Sequence, residues 1–276
     1  MTRAIEKAMP ELDILYLGDT LHVPYGKRSP RAVYKYTRQA MDYMFSQDCR
    51  LIIIACNTAS ASALRQLQQI YLPKKWPDRR ILGVVVPTLE VSADKGYKKI
   101  GLLGTSNIVE SGIYEQELRK IDPQIKIYSQ AAPLLVPLIE DGGIKYAHEI
   151  LQDYLAPLVA KNVESIMLGC THYPFLKDII SGIANEKRPE PNPEIHILSQ
   201  DDLIPPKLAE YFARHPEIDK DIGRSARREY QVTDLTRNYQ QSADNIYGRP
   251  ISLELVRLPE AQWEDDYIPD LERASV

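Results

Sequence analysis

Cysteine is scarce in this chain: three residues in 276, at Cys49, Cys56 and Cys170. An odd, sparse count excludes a disulfide framework and fits a reducing compartment, read here as the cytoplasm. Long apolar runs are missing as well. No stretch approaches the ~20 residues that a membrane-spanning helix needs, and the start lacks a signal-peptide pattern, so no membrane partner is expected. There is no basic excess: 34 Lys and Arg stand against 38 Asp and Glu, and a net charge of −4 carries no nucleic-acid footprint. The short basic run at residues 224–228 reads as a solvated face. Paired Cys/His sets with zinc spacing, glycine-rich phosphate or dinucleotide fingerprints, and a lysine in a pyridoxal-phosphate context are all missing. Neither a metal nor an organic cofactor is therefore expected.

What is present is an ordinary globular composition, 44% hydrophobic and 26% charged, at a length that suits two α/β units. Apolar strand-like runs alternate with helical periodicity, which implies parallel sheets with right-handed crossovers. Strands are expected at residues 12–17, 51–55, 81–86, 99–103, 125–128, 165–168, 195–198, 230–232 and 251–256. Helices are expected at residues 2–9, 30–47, 58–70, 107–120, 146–160 and 205–214. Ser29-Pro30 reads as an N-cap followed by proline at the first helical position. Residues 73–78 and 187–193 read as loops, and the acidic stretch 260–276 as an irregular tail. The pattern restarts after Pro87, so one domain is expected over 1–88 plus 206–276 and a second over 89–205.

Two segments are near-copies of each other: Ala55-Cys56-Asn57-Thr58 and Gly169-Cys170-Thr171-His172. Each follows a β-branched apolar run and precedes a helical segment. Each cysteine is thus expected at the carboxyl end of a buried strand, where open α/β sheets place ligands. A thiol facing the N-terminus of the following helix is favoured as thiolate. Buried free cysteine is commonly plain core, and one such residue would be read that way. Two in matched contexts point instead to paired acid/base groups facing one small substrate. Cys49 lacks that context and reads as structural. Removing a weakly acidic Cα proton from one face and returning one to the other needs two groups that alternate between acid and base. A thiol, with its pKa near 8.5, does this at modest cost.

Further segments share a pattern: Tyr16-Leu17-Gly18-Asp19-Thr20, Val23-Pro24-Tyr25-Gly26, Gly101-Leu102-Leu103-Gly104-Thr105, Val136-Pro137-Leu138-Ile139-Glu140 and Leu168-Gly169-Cys170-Thr171-His172-Tyr173-Pro174. Together with the Cys56 segment, and spread over about residues 3–256, they resemble the glutamate racemases of the cofactor-independent aspartate/glutamate racemase superfamily. The resemblance implies two pseudo-symmetric α/β domains with the substrate in the cleft between them. It makes Cys56 and Cys170 the catalytic thiols, with His172, supported by Glu140, tuning Cys170. It assigns substrate holding to Asn57, Thr58, Thr105 and Thr171, with Pro24, Tyr25 and Gly26 from a loop. The implied activity interconverts L- and D-glutamate, supplying D-glutamate for peptidoglycan, and family members often form homodimers. Aspartate is the alternative substrate within the superfamily, and a non-catalytic ligand-binding protein is the alternative class.

Three departures accompany the resemblance. Family members begin with a strand ending in Asp-Ser-Gly, whereas this sequence opens inside the following helix. Ile108 stands where a second substrate-contacting threonine is expected, and Ser199-Gln200 replaces a small polar pair. Without the aspartate that supports the first thiol, the chain as written is expected to racemise glutamate slowly or not at all. Circular dichroism of separate L- and D-glutamate incubations tests this, and full turnover would contradict it.

Overall fold

The computed structural model describes residues 1–189 and 193–259; the acidic stretch from Glu260 and part of the 187–193 loop lie outside the described residues. Nine strands occur among the described residues: β1 Ile14–Gly18, β2 Leu51–Ile54, β3 Arg80–Gly83, β4 Lys99–Gly104, β5 Lys126–Ala131, β6 Ser165–Gly169, β7 His196–Leu198, β8 Arg228–Val232 and β9 Leu253–Leu255. Every pairing among them is parallel. The chain divides into a middle unit, Ala55–Asn57 with Val84–Lys207, and a terminal unit, Thr2–Ile54, Thr58–Gly83 and the chain from Leu208.

The middle unit holds a four-stranded sheet in the order β5-β4-β6-β7. All five residues of β6 are buried, and in β4 only Lys99 is exposed. Continuous rather than alternating burial marks parallel strands covered on both faces. The helix Ala147–Val159 contributes Leu151, Leu155 and Leu158, and the helix Lys177–Glu186 contributes Ile180 and Ile183, to one apolar cluster. Fully burying each such side chain is worth about 1.5–3 kcal/mol.

The terminal unit holds two separate sheets, β1-β8-β9 and β2-β3. β1 pairs only with β8 and β2 only with β3, so each has one edge without a strand neighbour among the described residues. The helix Pro30–Ser46 starts as its residues dictate: the Ser29 hydroxyl accepts from the Ala32 amide at 3.3 Å. Its Val33, Thr37, Met41 and Phe45 recur every four residues on a buried face.

Several expected boundaries are corrected. The helix after Cys56 runs Asn57–Gln66, continues through a π turn, Leu67–Tyr71, and ends as Leu72–Lys75, consuming part of the expected 73–78 loop. Val85 and Val86 belong not to a strand but to a helix, Val85–Asp94. Pro87 sits in its first turn, where the amide it lacks would have no intrahelical partner. The helix expected at 107–120 is two, Ser106–Ser111 and Ile113–Ile121, broken at Gly112 with φ +61°. The helix expected from 205 starts at Gln200, and Arg237–Tyr247 is a helix that was not anticipated. The basic run is mostly a solvated face: Arg224 stays exposed while pairing with Glu11 and Asp219, and Arg228 turns inward to donate to the Pro10 and Leu12 carbonyls. Arg227, whose side chain is 72% exposed, lies on the same face and pairs with Glu229.

At the carboxyl ends of β4 and β6 two glycines, Gly104 and Gly169, are register partners. A Cβ on Gly169 would lie 2.8 Å from the Leu102 side chain and 3.2 Å from the Leu103 carbonyl oxygen. Gly169→Ala is therefore expected to destabilise the protein by about 1–3 kcal/mol in urea unfolding, as overpacking does; a change below about 0.5 kcal/mol would show that the strand ends have slack.

Candidate active site

Seven of the residues singled out in the sequence fall in the middle unit: Cys56, Asn57, Thr105, Glu140, Cys170, Thr171 and His172. Pro24, Tyr25, Gly26 and Thr58 fall in the terminal unit, the boundary passing between Asn57 and Thr58 inside one helix.

Cys170 directly follows β6 and is 8% exposed. Its Sγ lies 3.8 Å from His172 Nδ1, and His172 Nε2 lies 3.1 Å from a Glu140 carboxylate oxygen. The carboxylate arrives from the end of the helix Leu135–Glu140, and the imidazole from the turn between β6 and the 3₁₀ segment Tyr173–Leu176. Burial alone would push the His172 pKa down. Hydrogen bonds and charge attraction from Cys170 and Glu140 outweigh it and raise the value to about 10. The ring is thus an imidazolium at neutral pH, and a positive charge beside a sulfur is complementary to a sulfur anion. Two buried phenols flank this region. Tyr114 and Tyr173 are both held protonated, first by burial and then by the Cys170 charge. Tyr173 donates to the Ala132 carbonyl at 3.0 Å.

The two thiols are not equivalent. Cys56 is half-buried and immediately precedes the helix Asn57–Gln66, as expected for a thiol under a helix N-terminus. Cys170 does not face a helix start directly: the turn and the 3₁₀ segment intervene before Lys177–Glu186. Its local positive charge comes from His172 instead. Cys49 is set apart, its thiol pushed up to about 11 by burial, which leaves it protonated near neutrality.

The polar residues singled out for substrate holding have definite engagements. The Thr105 hydroxyl caps the helix Ser106–Ser111 by accepting from the Ile108 amide at 3.4 Å. Ile108 is fully buried, and its side chain comes within 3.0 Å of where a Cβ on Gly104 would lie, so this position serves the core. Asn57 is 3% exposed and Thr58 4% exposed. In the terminal unit, Pro24 precedes the 3₁₀ turn Tyr25–Lys27, which contains Gly26. The Tyr25 hydroxyl donates to Asp19 Oδ2 at 2.5 Å, so that phenol is committed to its own loop. Asp19 also accepts from Thr233 Oγ1 at 2.8 Å and contacts His22 Nδ1 at 2.8 Å, and the His22 ring stacks on Tyr36 at 3.9 Å. Asp19 was missed in the sequence as a hub. Its signals were its place in the Tyr16–Thr20 segment and its position six residues before Tyr25, whereas the Thr233 contact spans more than two hundred residues. In the sequence Gln200 stands out only as a departure from a small polar pair, with no role attached to it. Among the described residues no group of three His, Cys, Asp or Glu side chains gathers as a metal-ligand set, and no helix is long and apolar enough to cross a membrane.

Parallel α/β sheets whose strand ends carry two thiols, one of them beside an imidazole–carboxylate pair, define the class: an isomerase that moves a proton at carbon. Residues 1–186 match the family of Asp/Glu/Hydantoin racemases. The chain belongs to that family, and it is an amino-acid racemase. It is 31% identical over 259 residues to the glutamate racemase of Persephonella marina, covering 93% of this chain and 92% of that protein. Among solved structures, the glutamate racemase isoform RacE1 from Bacillus anthracis superposes with a TM-score of 0.81 at 26% identity, covering 94% of this chain and 92% of that one. The glutamate racemase from Aquifex pyrophilus superposes with a TM-score of 0.72 at 31% identity, covering 92% of each.

Because the folded His172 pKa stands above the usual 6.5, the stability linked to its proton is complete below about pH 6.5 and is lost as pH rises through about 10. NMR titration of the imidazole should find its midpoint near 10, and Glu140→Gln should lower it. Glu140 is 53% exposed, so added salt should weaken that effect. An unmoved midpoint in Glu140→Gln would leave Cys170 as the sole cause.

Proposed function

We propose that the chain interconverts L- and D-glutamate by two-thiol proton transfer, with Cys56 and Cys170 acting on opposite faces of Cα. The observation that carries this reading is the Cys170–His172–Glu140 alignment, 3.8 Å and 3.1 Å between successive groups, at the end of a fully buried strand. One thiolate takes the Cα proton and becomes a thiol. The electron pair left on carbon is stabilised through the substrate carboxylate, and the opposite thiol returns its own proton from the other face. The net change is inversion at Cα, with one thiol and one thiolate exchanged and no electrons transferred.

His172, protonated at neutral pH and steadied by Glu140, supplies the positive charge that accompanies a Cys170 anion. Asn57, Thr58, Thr105 and Thr171 offer amide, hydroxyl and backbone donors for the two substrate carboxylates, and such donors are strongest where water is excluded. The loop of Pro24, Tyr25 and Gly26 contributes backbone groups, since the Tyr25 hydroxyl is engaged by Asp19. Glutamate is preferred over aspartate because the relatives matching over most of the chain are glutamate racemases. Three free cysteines suit a cytoplasmic enzyme, and D-glutamate is a product that peptidoglycan synthesis consumes.

The test is solvent-deuterium exchange at Cα together with circular dichroism, on L- and D-glutamate separately, with aspartate as control. Exchange registers a slow reaction that net rotation would miss. Both enantiomers should exchange, and racemisation should fall by about a hundredfold or more in Cys56→Ala and in Cys170→Ala, the size of an acid/base contribution. Silence toward glutamate with turnover of aspartate would reassign the substrate; silence toward both would remove the catalytic reading.

A further inference from the structure

Gln200 stands where the family resemblance leads one to expect a small polar residue, yet its long side chain is only 1% exposed. It forms a two-way amide pair with Asn57. Gln200 Nε2 donates to Asn57 Oδ1 at 2.8 Å, and Asn57 Nδ2 donates to Gln200 Oε1 at 2.9 Å. The Tyr114 hydroxyl donates to the same Asn57 oxygen at 2.7 Å, and Gln200 Nε2 lies 3.2 Å from that hydroxyl. Tyr114 is fully buried and Asn57 nearly so. Three segments distant in sequence thus close a polar ring on the residue next to Cys56.

Hydrogen-bond counting determines what Asn57 has left. A primary amide has two N–H donors and an oxygen that accepts two bonds. The Asn57 oxygen takes both of its bonds within the ring, and one of its two N–H groups is used by Gln200. One donor remains and no acceptor. Asn57 held this way can donate to an anion but cannot receive an ammonium. Without its partners the amide could rotate by half a turn about its last torsion, exchanging oxygen for nitrogen at little steric cost. A satisfied buried network suppresses that second state, because each unmatched partner would be costly. Ionisation of Tyr114 is opposed by burial and then by the Cys170 charge, so its hydroxyl keeps the proton that it donates to Asn57.

We infer that Gln200, together with Tyr114, is a positioning residue that fixes the Asn57 amide as a donor to a carboxylate of the substrate. This deepens the racemase reading and rests on it.

The test uses the full chain with Gln200→Leu, Asn57→Ala and the double variant, assayed for racemisation of D- and L-glutamate. Gln200→Leu should raise KM about tenfold with a smaller change in kcat, the effect of leaving a buried amide unmatched. In the Asn57→Ala background the same change should add nothing, because the group it positions is gone. A side chain that served only packing would give additive losses, and that result, or an unchanged KM in Gln200→Leu, overturns the inference. Should Gln200→Leu not fold, Tyr114→Phe removes one donor to the Asn57 oxygen and enters the same cycle.

A second readout, alkylation of Cys56 and Cys170 by iodoacetamide in the ligand-free proteins, separates failure of the inference from failure of the racemase reading. Releasing Asn57 should change the Cys56 rate severalfold and leave the Cys170 rate unaltered. Wild-type silence toward both glutamate and aspartate with that change intact would end the racemase reading and keep the lock on Asn57. Equal Cys56 rates in wild type and Gln200→Leu would end the lock.

Discussion

The close approach of β4 and β6 at Gly104 and Gly169 is the constraint on which the site in the middle unit depends. The two glycines are register partners, and the space beside Gly169 is taken by the Leu102 side chain and the Leu103 carbonyl. With no Cβ on either, the strands run side by side to their ends and turn away at the same level. Thr105 comes after one glycine and caps a helix; Cys170 comes after the other and meets His172. Sheet register therefore sets the chemistry: shifting β6 by one residue would carry the thiol off the sheet end and reverse every side chain on the strand.

The two thiols reach comparable roles by different physics. Cys56 precedes a ten-residue helix whose unpaired amides supply partial positive charge. Cys170 has an intervening turn, and there a protonated imidazole supplies a full charge while a half-exposed carboxylate steadies it. The near-identical sequence segments conceal this, because the distinction lies in the backbone beyond each cysteine: Asn57 opens an α-helix, whereas Tyr173–Leu176 forms a tighter 3₁₀ segment. The side chains after each thiol differ accordingly. Asn57 is drawn into a buried amide ring, while His172 keeps 35% of its side chain in solvent.

Much of the architecture was legible along the chain. Strand runs such as residues 165–168 are apolar without interruption, and a run of that length has few alternatives to a buried parallel strand. Ser29-Pro30 announced a helix because a side-chain cap and a fixed φ act over three residues. Misreadings arose where a local signal had two meanings. Residues 81–86 look like one strand, yet Gly83 ends it and Val85 opens a helix, with Pro87 tolerated in the first turn. Pro205 and Pro206 suggested a helix start but lie inside one that begins at Gln200. Among site residues, the Cys170–His172 proximity could be anticipated from two-residue spacing. The engagement of Tyr25 by Asp19, and of Asn57 by Gln200 and Tyr114, could not.

The sequence by itself determined the alternation of parallel strands and helices, the placement of Cys56 and Cys170 at strand ends, and the family. These depend on short-range periodicity and on motifs read within a few residues. Only the tertiary structure decided which polar groups are already taken: Thr105 by its helix, Tyr25 by Asp19, and the oxygen of Asn57 by partners 57 and 143 residues away. Hydrogen bonds saturate, and which donor reaches a given oxygen first depends on folding distant segments together. The amino-acid order contains that information without displaying it.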